Sequence, residues 1–492
     1  MRPFLYLICL CWLTISGKAI PPRPNIIIIL ADDLGYAELG CYGQKIIKTP
    51  HIDLLAKSGI RFTQYYAGNT VCAPSRCALL TGKHTGHSDI RDNKEQGGFK
   101  DDEERGQLAL AKGQFTLAHL LKSNGYHTAI IGKWGLGMPD NDGSPVRAGF
   151  DFFYGFADQK QAHNYYPSHL WKNDQWDTLS NGYFSPHQKY TGELSRLTDD
   201  YISEHYTRKD YAPDFMRNEA LKFIDNQQQD PFFLFYTLPM PHLSLQVPLE
   251  DLKPYAGLPD TPYTGDRGYL PQAHPRAAYA AMISRLDTEV GIIMNKLKQT
   301  GKDNNTIVIF ISDNGATVPG LGGADTKFFM SNGNLRGYKM DLYEGGIRVP
   351  CIVSWPGHIK EGTTNHTLSA AWDWMPTLAD MIHIKAPGGL DGVSVKKALL
   401  SHTLIKPDRS LYWEYHDGKV RAIRQGDWKL IRFYHNKKSD DKAYRDELYY
   451  LATDPGEQNN LVSLYPDKMN ILSGLLEHAH STSRIKEWNI FE

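Results

Sequence analysis

Asn25-Ile26-Ile27-Ile28-Ile29-Leu30-Ala31-Asp32-Asp33 decides the fold. An unbroken apolar run rich in β-branched residues, with no polar alternation, suits a strand buried on both faces, as in a parallel sheet. It stops at two carboxylates. The same grammar recurs along the chain. Thr49-Pro50 opens a helix through Lys57, with Gly59 as its stop. A short helix over 116–124 runs into Gly125 and then the strand His127-Thr128-Ala129-Ile130-Ile131. Residues 231–238 read as another buried strand. Residues 276–299 read as a long amphipathic helix, and Thr306-Ile307-Val308-Ile309-Phe310-Ile311 follows as a strand. Strands alternating with helices predict an α/β fold with a largely parallel sheet.

Beyond about Lys406 the texture changes. Residues 411–415, 420–424 and 428–433 are short alternating strands, and a helix-like tail covers 468–480. This predicts a small antiparallel subdomain over 406–492, packed on a main domain over 20–405. Residues 1–19 read as a secretory signal peptide: Arg2, an uncharged apolar run from Phe4 to Ile15, then Ser16-Gly17-Lys18-Ala19. That run is shorter than the ~20 residues of a membrane span. The chain is therefore expected to be secreted or periplasmic, with no membrane span. Its 54 Lys and Arg against 55 Asp and Glu leave a net charge of −1. Such a balance gives no overall field for nucleic acid or an anionic membrane. Once Cys9 and Cys11 leave with the signal, Cys41, Cys72, Cys77 and Cys351 remain, too few for a disulfide framework.

Ligands of open α/β sheets bind at the carboxyl ends of the strands. Here those ends carry Asp32-Asp33, Gly132-Lys133, Pro241-His242 and Asp313-Asn314. Either acidic pair alone serves equally as a helix cap or a solvated turn. Together the two pairs offer oxygen ligands only, which favours Ca²⁺ or Mg²⁺ over zinc. In Cys72-Ala73-Pro74-Ser75-Arg76, Pro74 fits the first turn of a helix. Cys72 then sits where free amides favour an anion, and Arg76 adds a fork for a tetrahedral oxyanion. A buried structural cysteine is the other reading.

Cys72-x-Pro74-Ser75-Arg76 followed by Leu80-Thr81-Gly82 resembles the signature of the type I, formylglycine-dependent sulfatases. The resemblance extends to Leu30-Ala31-Asp32-Asp33-Leu34-Gly35, Gly132-Lys133-Trp134, Asp313-Asn314-Gly315 and Tyr343-Glu344-Gly345-Gly346, in the family's order. It implies an alkaline-phosphatase-like fold: a large mixed, mostly parallel sheet flanked by helices, with a small C-terminal antiparallel α+β subdomain. It implies an arylsulfatase-like sulfuric ester hydrolase. Cys72 would be oxidised to 3-oxoalanine (formylglycine) by a formylglycine-generating or equivalent maturation enzyme. The aldehyde hydrate carries two hydroxyls: one attacks sulfur, and loss of a proton from the other expels sulfate. Asp32, Asp33, Asp313 and Asn314, with Cys72 beside them, match the site of one Ca²⁺. Arg76, Lys133 and Lys339 match groups that hold the nucleophile and the sulfate, and His242 faces the leaving oxygen.

One departure stands out. Many members carry Gly-Lys-Trp-His, whereas here the segment is Gly132-Lys133-Trp134-Gly135. The stretch Gln161-Ala162-His163-Asn164-Tyr165-Tyr166-Pro167 resembles a bacterial branch that pairs it with Gly-Lys-Trp-Gly and includes carbohydrate sulfatases. His163 is thereby a candidate base or sugar contact, Asn164 and Tyr165 are candidate substrate contacts, and a sulfated galactose or N-acetylgalactosamine glycan is the expected substrate. His84 and Arg91, in the segment after the nucleophile helix, are expected to line the same cleft. Two alternatives share the fold: a phosphatase or phosphodiesterase, and an inactive sulfoglycan-binding relative.

Overall fold

The computed structural model describes residues 23–228, 230–401, 409–435 and 444–491. The expected signal peptide and the expected boundary at 405/406 lie outside the described residues. The main sheet has ten strands. Its centre is Thr306–Ser312, Asn25–Ala31, Phe232–Thr237, His127–Lys133 and Phe152–Phe156, all parallel. Antiparallel strands Cys351–Ser354 and His169–Lys172 flank this centre. The quoted apolar run is thus the middle of the sheet, buried along its whole length.

Both faces of that strand are covered, which explains why its sequence does not alternate. Ile27, Ile29 and Ala31 pack with Met216, Tyr279 and Leu286 from helices Ala212–Asn226 and Pro275–Gln299. Ile26, Ile28 and Leu30 pack with Ala73, Cys77 and Leu121 on the other side. Each fully buried isoleucine is worth roughly 1.5–3 kcal/mol. The short helix Leu117–Lys122 is held at its start by a reciprocal cap. Thr116 Oγ1 accepts from His119 N and His119 Nδ1 accepts from Thr116 N, both at 3.3 Å.

The C-terminal sheet is antiparallel and has four strands: Ser410–Tyr415, Val420–Gln425, Trp428–Tyr434 and Tyr444–Tyr450. The fourth is an addition to the three strands read from sequence. Helix Pro466–His478 lays Leu472 and Leu476 on Tyr412, Ile423 and Leu430. The opposite face joins the main domain through a buried ion cluster. Lys429 Nζ lies 3.0 Å from Glu344 and 2.8 Å from Glu457. Glu344 belongs to the Tyr343-Glu344-Gly345-Gly346 motif, so that motif anchors the second sheet. Its glycines are required by contact: a Cβ on Gly346 would sit 2.0 Å from Asp341 O. The four cysteines of the described chain are free thiols.

Candidate active site

Parallel register brings the two acidic pairs together across 280 residues of chain. Ala31 pairs with Ser312, so both strands end at the same level. Asp313 N donates to Ala31 O at 3.0 Å, and Asp33 N donates to Asp313 Oδ1 at 3.1 Å. Asp33 takes a left-handed φ of 64°, which turns its side chain into the site. Asn314 Nδ2 donates to Asp33 Oδ1 at 2.8 Å, while Asn314 Oδ1 is buried with no hydrogen-bond partner. An unpaired buried carbonyl oxygen is costly, so it marks a place where a further ligand belongs.

The buried Arg76 and Lys133 and the half-buried Lys339 surround these carboxylates. Arg76 lies 3.0 Å from Asp32 and 2.9 Å from Asp313, and its third arm donates to Lys133 O at 2.6 Å. Lys133, at the end of its strand, lies 2.7 Å from Asp32. Lys339 lies 2.8 Å from Asp33. Burial opposes ionisation of Asp32, but Lys133 and Arg76 hold its carboxyl well below the usual range. Burial, followed by the Asp32 charge, raises the Asp313 carboxyl to about 6.

Cys72 opens the helix Cys72–Thr81, as its motif requires. The second amide of that helix, Ala73 N, donates to Asn93 Oδ1 at 3.0 Å, a cap supplied from a distant loop. Cys72 Sγ lies 3.4 Å from Asp32, 3.5 Å from Lys339 and 3.8 Å from Lys133. Burial, and then the Asp32 charge, push the Cys72 thiol up, so it stays protonated. A thiol nucleophile works as its thiolate. The unmodified side chain is therefore badly placed to attack anything, although its position is central.

His242 donates from Nδ1 to Leu243 O at 2.7 Å, which leaves Nε2 facing Asp33 at 3.8 Å. Burial, and then Lys133 and Lys339, lower its pKa to about 4, so the ring enters the site neutral. An incoming anion would favour its protonation. Tyr165 is fully buried beneath this loop, its hydroxyl 2.7 Å from both Pro239 O and His242 O. It shapes the loop that carries His242 and does not reach the cleft. Asn164 Oδ1 accepts from Tyr166 N at 3.0 Å and stabilises the same turn.

His163 does join the site. Its ring stacks on His242 with centroids 5.1 Å apart and a 20° interplanar angle. Its Nδ1 lies 3.1 Å from His187 Nε2, and Tyr269 flanks it at 5.1 Å. Burial, followed by the His242 charge, holds His163 well below the ordinary histidine range. His187, Tyr269 and Phe99 complete this aromatic wall and were not identified from sequence. Gly135 has φ +75°, and a Cβ there would meet Gln159 Nε2 at 2.5 Å. Gln159 fills the space into which a histidine at 135 would project.

Two further expectations are corrected. His84 lies past the far end of the ten-residue helix Cys72–Thr81, about 15 Å along its axis from Cys72, and its amide is bound to Asp391. Arg91 is buried under the second sheet, 3.0 Å from Glu414 and 2.7 Å from Ser481 O. Neither lines the cleft: the helix carries His84 away from the strand ends, while the Arg91 side chain turns under the second sheet although the chain has come back to the helix start at Asn93.

The sulfatase family profile matches residues 24–384, and a profile described as the N-sulphoglucosamine sulphohydrolase C-terminal region matches 338–482. The chain is 31% identical over 479 residues to human (Homo sapiens) arylsulfatase A, covering 91% of this chain and 85% of that protein. It is 30% identical over 427 residues to N-acetylgalactosamine-6-sulfatase of Rattus norvegicus, covering 83% and 71%. Its fold superposes on the crystal structure of Ps i-CgsB in complex with k-i-k-neocarrahexaose. The TM-score there is 0.70 at 26% identity, over 93% of this chain and 92% of that one. These matches run through helix Cys72–Thr81, both acidic pairs and the second sheet, and they show that the chain belongs to the sulfatase family and is a sulfatase.

Proposed function

We propose that the protein releases inorganic sulfate from a sulfated glycan of the galactose or N-acetylgalactosamine type, using formylglycine made from Cys72 by a maturation enzyme. The observation that carries this reading is the setting of Cys72: a buried, protonated thiol at a helix start, ringed by Lys133, Lys339, Arg76 and His242. Such a thiol is inert as a cysteine but is well placed for a modified group. Formylglycine supplies, once hydrated, an oxygen nucleophile and a second hydroxyl through which sulfate can leave. Lys133 and Lys339 face the charge that builds on sulfate oxygens as the ester bond breaks, and preorganised charge of this kind is usually the largest catalytic contribution. His242 Nε2 is the free nitrogen that gives a proton to the departing alcohol oxygen. The glycan class is supported by the N-acetylgalactosamine-6-sulfatase relative and the neocarrahexaose-bound fold neighbour. Secretion or a periplasmic location is part of the same proposal and agrees with the leader read in the sequence. No described helix is long and apolar enough to cross a membrane. The assay is sulfate release from sulfated galactosides against matched phosphate esters. Turnover of the phosphate alone would move the assignment to a phosphatase. Binding of the sulfated sugar without turnover would leave a sulfoglycan-binding relative.

Asp32, Asp33, Asp313 and Asn314 fit one Ca²⁺. Their donors are all oxygen, and Asn314 Oδ1 is left without a partner. A bound dication would neutralise the carboxylates and free Lys133 and Lys339 for sulfate. Stripping Ca²⁺ with a chelator is expected to abolish turnover and destabilise the fold by about 2–4 kcal/mol relative to the saturated protein. Thermal melts with and without added Ca²⁺ check this; an unchanged melting temperature counts against the assignment.

His163→Ala separates two roles for the stacked histidine. As proton acceptor its loss should lower kcat about 10²-fold with little change in KM. Steady-state kinetics on a sulfated galactoside decide the point. A raised KM with normal kcat would make His163 a sugar contact.

A further inference from the structure

His84, His87 and Asp391 form a second cluster that the sulfatase chemistry does not use. The chain turns after helix Cys72–Thr81 and meets residues 389–392, where Asp391 N donates to Gly82 O at 3.0 Å. The two imidazoles stack with centroids 4.4 Å apart. Asp391 Oδ1 lies 2.8 Å from His87 Nδ1 and 3.6 Å from His84 Nε2. One donor atom from each residue lies within 4.8 Å of the other two. The His84 nitrogen that faces Asp391 is Nε2, while Nδ1 is buried without a hydrogen-bond partner among the described residues and is not the proposed donor. Burial lowers the His84 pKa to about 4, so its ring is neutral, as a metal ligand must be. Burial opposes ionisation of Asp391, but the His87 hydrogen bond keeps its carboxyl below the usual range.

We propose that His84, His87 and Asp391 bind a transition-metal cation of the Zn²⁺ type, at a site separate from the carboxylate cluster beside Cys72. Two imidazoles and a carboxylate are a donor set that suits zinc, whereas oxygen-only donors suit calcium. Tetrahedral bonds of about 2.0–2.2 Å put neighbouring donors about 3.3–3.5 Å apart. The His84–Asp391 separation is already near that value. Zinc would replace the proton now shared by His87 and Asp391, and the released proton would pass to solvent. Trp372 and Tyr412 wall the inner side, with ring centroids 5.9 and 5.2 Å from His84. His87 is exposed on the outer side, which leaves an entry path and a fourth position for water. The ion would pin the far end of the helix that begins at Cys72, so its role is structural.

The test uses the untagged, Ca²⁺-saturated full chain and titrates it with ZnCl₂ by calorimetry, then with CoCl₂ by visible absorption. Wild type is expected to take one zinc beyond its calcium and to show the absorption of low-coordinate cobalt. His87→Gln, at an exposed ring, is expected to lose both signals while sulfate release and the circular dichroism spectrum are unchanged. Asp391→Asn should lose them too. Equal zinc uptake by wild type and His87→Gln would overturn the proposal. So would zinc uptake that falls in step with added Ca²⁺, which would place the ion among the carboxylates instead.

Discussion

Cys72→Ala is expected to lower kcat for sulfate release by about 10⁴-fold or more, the scale on which loss of a nucleophile is felt. Its stability should stay within about 1 kcal/mol of wild type, because no cap, salt bridge or large side chain is removed. The helix start is held independently by Asn93 on Ala73 N and by Ser75 Oγ on Gly68 N. Parallel kinetics and thermal melts check both halves. Retained turnover would show that the reaction does not run through this side chain.

Arg76→Ala has the second large effect, and it should strike stability and activity together. The guanidinium is almost fully buried and bonded to Asp32, Asp313 and Lys133 O. Removing one partner of a buried ion pair leaves uncompensated charge and costs about 3–5 kcal/mol. Turnover should fall about 10²–10³-fold or more, since Asp32 and Lys133 lose the group that orients them. Arg76→Lys keeps the charge but loses the fork, so it should recover part of the stability and little of the rate. Denaturant unfolding in saturating Ca²⁺ measures the first effect. Wild-type stability in Arg76→Ala would mean that calcium alone holds the carboxylates.

The central strands were legible because burial on both faces writes an uninterrupted apolar run, and Asn25–Ala31 is the clearest instance. The acidic pairs were legible because they directly follow such strands, and Lys133 because it ends one. Short strands such as Ile60–Phe62 and Cys351–Ser354 were not. They hold few residues and are defined by pairing across distant sequence, which no local pattern encodes. The aromatic wall was half seen. His163 stood out in a motif, whereas His187 and Tyr269 reach it from loops with no periodicity of their own. His84 was misplaced because closeness to Cys72 along the chain was read as closeness in space, across a helix that points away from the site; Arg91 was misplaced because its partner Glu414 lies 323 residues away, so no local pattern shows its side chain turning under the second sheet. Gln159 was invisible because its significance lies in the volume beside Gly135, which only the folded chain reveals.

Formylglycine at position 72 is tested most directly by the mass of the tryptic peptide 62–76 from a preparation that actively releases sulfate. In that peptide Cys72 is expected to have lost its sulfur and to carry an aldehyde that a hydrazide reagent captures. An active preparation whose peptide keeps an intact cysteine thiol, with no aldehyde-bearing fraction, would contradict it.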